Sequence, residues 1–102
     1  MLEIRPNCEC CDKDLAPQAG DAMICSYECT FCQKCVTEVL ENACPNCGGG
    51  FTPRPVRPRT ARRAGVGLAY QPASLKRVNT KFTRDEITAF AMGIKAIPAR
   101  ER

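Results

Sequence analysis

Nine cysteines are the residues of this chain whose type and spacing point to a definite chemistry. They fall as Cys8-x2-Cys11, then Cys25-x3-Cys29-x2-Cys32-x2-Cys35, then Cys44-x2-Cys47, with Cys10 inside the first pair. Two residues between cysteines let a tight turn aim both sulfurs at one tetrahedral ion and leave backbone N–H groups to donate to the thiolates. Two such pairs make one closed site. The expected ligands of two zinc ions are therefore Cys8, Cys11, Cys25, Cys29, Cys32, Cys35, Cys44 and Cys47, and closed four-sulfur sites are structural rather than catalytic. Spacing alone leaves the pairing open. Sequential pairing groups Cys8, Cys11, Cys25 and Cys29 against the other four, and interleaved pairing groups Cys8, Cys11, Cys32 and Cys35 against Cys25, Cys29, Cys44 and Cys47. Cys10 is spare under both, either a packed thiol or a redox-sensitive one whose oxidation would eject metal.

Iron chemistry is the competing use of these sulfurs. Cys29-x2-Cys32-x2-Cys35 followed by Cys44-Pro45 is similar to the iron–sulfur run of bacterial ferredoxins, which would make an electron carrier. That assignment leaves Cys8, Cys11, Cys25 and Cys47 idle, whereas two zinc sites use everything except Cys10. A rubredoxin-type iron site shares the tetrahedral sulfur geometry. A thioredoxin-like reading needs a C-x-x-C opening a helix after a strand, and no such context is visible. The chain has no histidine, the commonest acid/base participant, and its carboxylates show no catalytic pairing. An enzyme is not expected.

The elements that must position these sulfurs are meagre. The chain has 102 residues and a mass of 11.2 kDa, with no Trp and only 19 Leu, Ile, Val and Phe together. So little apolar bulk does not support a self-sufficient core for the full length. Structural zinc, contributing about 10–16 kcal/mol of apparent binding free energy per ion, can order loops that carry only Ile4, Leu15, Ile24, Phe31, Val36, Val39 and Leu40 as a small core. Val36–Glu41 reads as one short helix, and chelation is expected to unfold residues 7–48 cooperatively. No apolar run approaches the roughly 18 residues that span a bilayer. The opening Met1-Leu2-Glu3-Ile4-Arg5-Pro6 lacks the layout of a signal peptide, so a cytoplasmic location is expected.

Charge divides the chain near residue 50. Residues 1–50 hold every cysteine and a net charge of −5, while residues 51–102 hold no cysteine and a net charge of +9. The expected organisation is a zinc-binding domain over 1–50, a Pro/Arg-rich semi-rigid linker over 51–66, and a basic tail over 67–102. Pro53, Pro55 and Pro58 forbid a helix in that linker and favour extended geometry. Residues 67–80 show no period. A helix over 84–97 follows, announced by a Thr83/Glu86 capping box and by Phe82 and Ile87 at staple spacing. Ile87, Phe90, Ala91, Ile94 and Ile97 line one face and Pro98 stops it. This helix must lie against its own head, a second copy or a partner, and the head is the expected seat. The basic stretch Arg54, Arg57, Arg59, Arg62, Arg63, Lys76, Arg77 and Lys81 is a candidate nucleic-acid contact, with Phe51 and Tyr70 the free aromatics nearby.

The order of gaps between cysteines resembles a RING-type cross-brace, with Cys29 where that family often has His. Phe31, Val36 and Pro45 fall where RING domains carry an aromatic, an aliphatic and a proline. The resemblance implies interleaved pairing. It does not imply ubiquitin-ligase activity, because RING ligases present an apolar residue, an aromatic and a basic residue where this chain has Cys10, Val39 and Gly48. More specifically, Leu2 through Cys11, Ile24 through Cys32, and Cys44-Pro45-Asn46-Cys47-Gly48-Gly49 resemble the DUF1272 family of short, Cys-rich bacterial proteins over residues 1–57. That resemblance brings no established activity. The expected fold is a small metal-stabilised domain: a RING-like cross-brace zinc module with little regular secondary structure, plus a C-terminal amphipathic helix. The expected role is a structural zinc protein that binds a protein partner, with nucleic acid as the alternative.

Overall fold

The computed structural model describes all residues 1–102. Regular structure is sparse. Strands β1 (Ala22–Ile24) and β2 (Thr30–Cys32) pair antiparallel, with Met23 opposite Phe31. Strand β3 (Thr52–Pro53) adds antiparallel to the other edge of β1. Proline at this edge loses no ladder bond inside the sheet, because a central strand is where its missing N–H would matter. After β2 the chain turns at once into α1 (Gln33–Cys35), which continues as a π-helical turn over Val36–Leu40. Glu41 and Asn42, both in the left-handed region at φ 49° and 59°, end it. The short helix expected at 36–41 is thus a wider turn, closed by Asn42 N–H donating to Val36 C=O at 3.0 Å.

The core is small and half sulfur. Phe31, Leu15, Leu40, Val36 and Ile87 pack in one buried cluster with Cys8, Cys25, Cys29, Cys32, Cys35 and Cys44. Phe31 meets Phe51 edge-on, with ring centroids 5.4 Å apart.

Helix α2 (Arg84–Ile94) starts where the capping box places it. Glu86 N–H donates to the Thr83 hydroxyl and Thr83 N–H to the Glu86 carboxylate. It ends three residues earlier than expected, because the chain tightens after Ile94 and Ile97 N–H bonds back to Ile94 C=O before Pro98. Its apolar stripe lies on the head: Ile87 and Ala91 are fully buried against the π-helical turn. Lys95 pairs with both oxygens of Glu41 at 3.1 Å, and the Arg102 guanidinium donates to Asn42 C=O and Gly48 C=O.

The stretch 51–66 does not stand free of the head as a linker would. Beyond β3, Arg54 N–H donates to Ala22 C=O at 2.8 Å, and the Arg54 side chain is 4% exposed. Residues 74–80 then run along the N-terminal loop without forming a strand. Ser74 N–H bonds Ile4 C=O, Thr80 N–H bonds Glu9 C=O, and the buried Asn7 amide both donates to and accepts from the Val78 backbone. No helix is long and apolar enough to cross a membrane.

Candidate metal centre

Two knuckles and two loops bring the cysteines together. In the first knuckle, Asp12 at φ 64° lets its N–H return to Cys8 C=O, so Cys8 and Cys11 face one point. In the second, between β1 and β2, Glu28 at φ 66° does the same with its N–H on Cys25 C=O. Cys32 ends β2 and Cys35 ends α1, one turn apart. Cys44 and Cys47 flank a tight turn in which Gly48 N–H bonds Cys44 C=O at 2.7 Å.

The sulfurs of Cys8, Cys11, Cys32 and Cys35 all lie within 4.8 Å of one another. Cys11 and Cys32 are 3.8 Å apart, which is the edge of a tetrahedron whose corners sit about 2.3 Å from its centre, the Zn–S distance. The sulfurs of Cys25, Cys44 and Cys47 form a second group within the same limit. Cys29 lies outside that trio, beside Cys25, whose N–H donates to Cys29 C=O at 3.3 Å. The arrangement is the interleaved, RING-like one, with seven of the eight expected ligands clustered and the eighth at the margin. Cys10 belongs to neither group, and all nine thiols are free.

The donor set fits a divalent cation. Burial pushes the Cys8 thiol up to about 11, and burial together with neighbouring sulfurs also raises Cys29, Cys35 and Cys44. Cys11, at the exposed rim, is lowered. Its partial burial works the other way but is outweighed by hydrogen bonds from Lys13 N–H and the adjacent thiols. Crowded sulfurs of this kind ionise together only around a positive ion, which inverts the local charge balance. Backbone donors are already aimed at them: Tyr27 N–H at Cys25 and Gly49 N–H at Cys47, both at 3.4 Å. An open cleft of about 440 Å³ at the rim of the first group is bordered by Cys11, Lys13, Lys34, Glu38 and Arg84.

Sequence reasoning missed Glu9. Its carboxylate is 4% exposed and accepts from Arg5 Nη1 at 2.9 Å, Thr30 N–H at 2.9 Å and Asn46 Nδ2 at 3.2 Å. Glu9 lies inside the first knuckle, Thr30 follows Cys29, and Asn46 sits between Cys44 and Cys47, so one carboxylate ties both metal groups together. No spacing rule distinguishes this glutamate from its exposed neighbours. Asn7 was missed for the same reason.

The basic candidates separate into two sets. Arg54 donates to Arg5 C=O and Ala16 C=O, and its burial lowers its pKa. Arg57 donates to Leu2 C=O and Gln71 C=O, and Arg77 is paired with Asp12 and Asp14. These three hold the fold together. Arg59, Arg62, Arg63, Lys76 and Lys81 are exposed and form no ion pair, and Lys81 lies 5.9 Å from the Phe82 ring centre.

Residues 1–57 match the model of a protein family of unknown function, DUF1272. The chain belongs to this family. It is 55% identical over 78 residues to an uncharacterised protein, R02474, of Rhizobium meliloti (strain 1021), a match covering 76% of this chain and 86% of the relative. That alignment is longer than the family match, so similarity to the relative continues past the DUF1272 region. No solved structure matches.

Proposed function

We propose that the protein is a non-enzymatic interaction module whose fold is held by two structural zinc ions, one in each cysteine group. The observation that carries this is the first group: four sulfurs, from the Cys8/Cys11 knuckle and from Cys32 and Cys35 at the ends of β2 and α1, at tetrahedral spacing that fills a four-coordinate site. In the second group Cys29, whose C=O accepts from Cys25 N–H, is the natural fourth ligand. The free thiols fit a reducing compartment such as the cytoplasm. A protein partner on the metal-ordered head is the first reading. Ligase activity is disfavoured twice. Cys10, Val39 and Gly48 replace the residues that RING ligases present, and α2 covers part of that surface, with Ile94 and Phe90 closing over Gly48. Nucleic-acid binding is the second reading, favoured by the three free arginines Arg59, Arg62 and Arg63. The deciding experiment is metal content with visible absorption on protein purified without added metal. Two colourless zinc ions per chain is the expected result; a red or brown iron-containing preparation would replace the module with an electron carrier.

A further inference from the structure

We propose that residues 58–71 form a preorganised docking loop for single-stranded nucleic acid, with Arg59, Arg62 and Arg63 on phosphates and Tyr70 stacked under a base. This rests on the second reading above and names its site. The loop is closed at its base, where Leu68 N–H donates to Pro58 C=O at 2.9 Å. Inside it the Gln71 side chain donates to Gly65 C=O at 3.0 Å and accepts from Gly67 N–H at 3.1 Å. From outside, Arg57 clips it to the N-terminal segment with two bonds of 2.7 Å, to Gln71 C=O and Leu2 C=O. Gly67 sits at φ 148°, and a side chain there would meet Pro58 C=O at 3.1 Å, so the closure requires glycine.

Compact loops closed in this way often carry function. This one bears three exposed guanidinium groups and no acidic residue, whereas the neighbouring Arg54, Arg57 and Arg77 are fully engaged. Planar guanidinium forks suit phosphate oxygens. Tyr70 is 60% exposed and offers a ring face, and stacking on an aromatic requires an unpaired base. An acidic protein surface is the poorer occupant, because apart from Tyr70 and the arginines the loop exposes only Pro58, Thr60, small residues and Val66, without the clustered apolar side chains that form the centre of a protein interface. A fixed loop also loses little entropy on binding.

The test uses the full zinc-loaded chain, with fluorescence anisotropy on a labelled mixed-sequence single-stranded DNA and on its duplex across a salt series. The loop variant Arg59→Ala/Arg62→Ala/Arg63→Ala is compared with a control of equal charge loss elsewhere, Lys34→Ala/Arg84→Ala/Arg100→Ala, both checked for unchanged zinc content and circular dichroism. The loop variant is expected to weaken binding at low salt about tenfold or more and to reduce the salt slope by about two. Tyr70→Leu is expected to weaken single-strand binding about fivefold or more and leave duplex binding unmoved. No binding by the wild-type chain even at low salt overturns both the loop and the nucleic-acid reading. Equal losses in the loop and control variants overturn the loop alone, and duplex preference with Tyr70→Leu indifferent overturns the single-strand assignment.

Discussion

Removing the charge of Glu9 while keeping its shape, in Glu9→Gln, leaves Arg5 without its buried partner and turns an amide N–H toward the donors of Thr30 and Asn46. Hydrogen bonds to charged groups are worth about 1.5–3 kcal/mol each, so a loss of about 2–3 kcal/mol is expected in denaturation at fixed free zinc. Because Glu9 ties the two knuckle systems, chelator titration should also change from one concerted metal-release step to two separate ones. A single step in the variant would mean that the sites are joined by other contacts. The thiols give a pH expectation for the zinc-loaded fold. Without metal, burial raises the Cys8 pKa from 9.0 to about 11, so the ion is what keeps that sulfur ionised in the fold. With metal the sulfurs are thiolates in the fold and thiols in the unfolded chain, so stability falls as pH drops below about 9. Urea midpoints of zinc-loaded protein at fixed free zinc, measured from pH 6 to 10 under reductant, should rise with pH and level off near about 9.

Among the elements, α2 was the most legible in the sequence, because its start is a local event: Thr83, Glu86 and the Ile87/Ala91 stripe lie within three turns of one another. Thr83→Ala should cost about 1 kcal/mol through loss of the cap. Ile87→Ala should cost about 2–5 kcal/mol, because that side chain is 1% exposed inside the sulfur-rich cluster. The two costs are checked by denaturation of zinc-loaded protein, and a cheap Ile87→Ala would show that α2 is only loosely seated. The π-helical turn at 36–40 was not legible, since its width is set by Cys35 and Leu40 having to face inward while Glu41 and Asn42 reverse the chain. The stretch 51–66 read as a linker for a physical reason too. Alternating Pro and Arg looks the same in sequence whether the guanidinium groups meet water or, as for Arg54 and Arg57, backbone carbonyls that distant residues supply. Seven of the eight candidate ligands fall into the two groups, because close cysteine pairs are a local geometry, while Cys29 lies outside them. Their partition depends on Cys32 and Cys35 folding back over β1, which spacing alone left open.

At the scale of the molecule, 22 of 102 residues are buried and the longest axis is 46 Å against 18 Å for the shortest. The radius of gyration of 14.5 Å exceeds the roughly 13 Å of a compact chain of this length. An elongated chain with so small a core has few apolar contacts to hold its second half. What holds it is attachment to the head at Ile4, Asn7, Glu9, Asp12 and Asp14 through residues 74–80, and at Leu40 and Glu41 through α2. Several of those anchors sit within the first knuckle or just beyond it, and the others at the end of the π-helical turn that Cys35 opens. Metal removal should therefore reach well past the cysteine-bearing residues 7–48. An 11-residue helix is too short to persist alone in water, so α2 should melt when the surface under it loses its zinc. Chelation under reductant, followed by amide NMR and far-UV circular dichroism, is expected to collapse the dispersion of residues 74–94 together with the head. Persistence of the α2 amide pattern after verified metal loss would mean that Leu40 and Ile87 pack without the cysteines. The fold would then have an apolar nucleus, not a metal one.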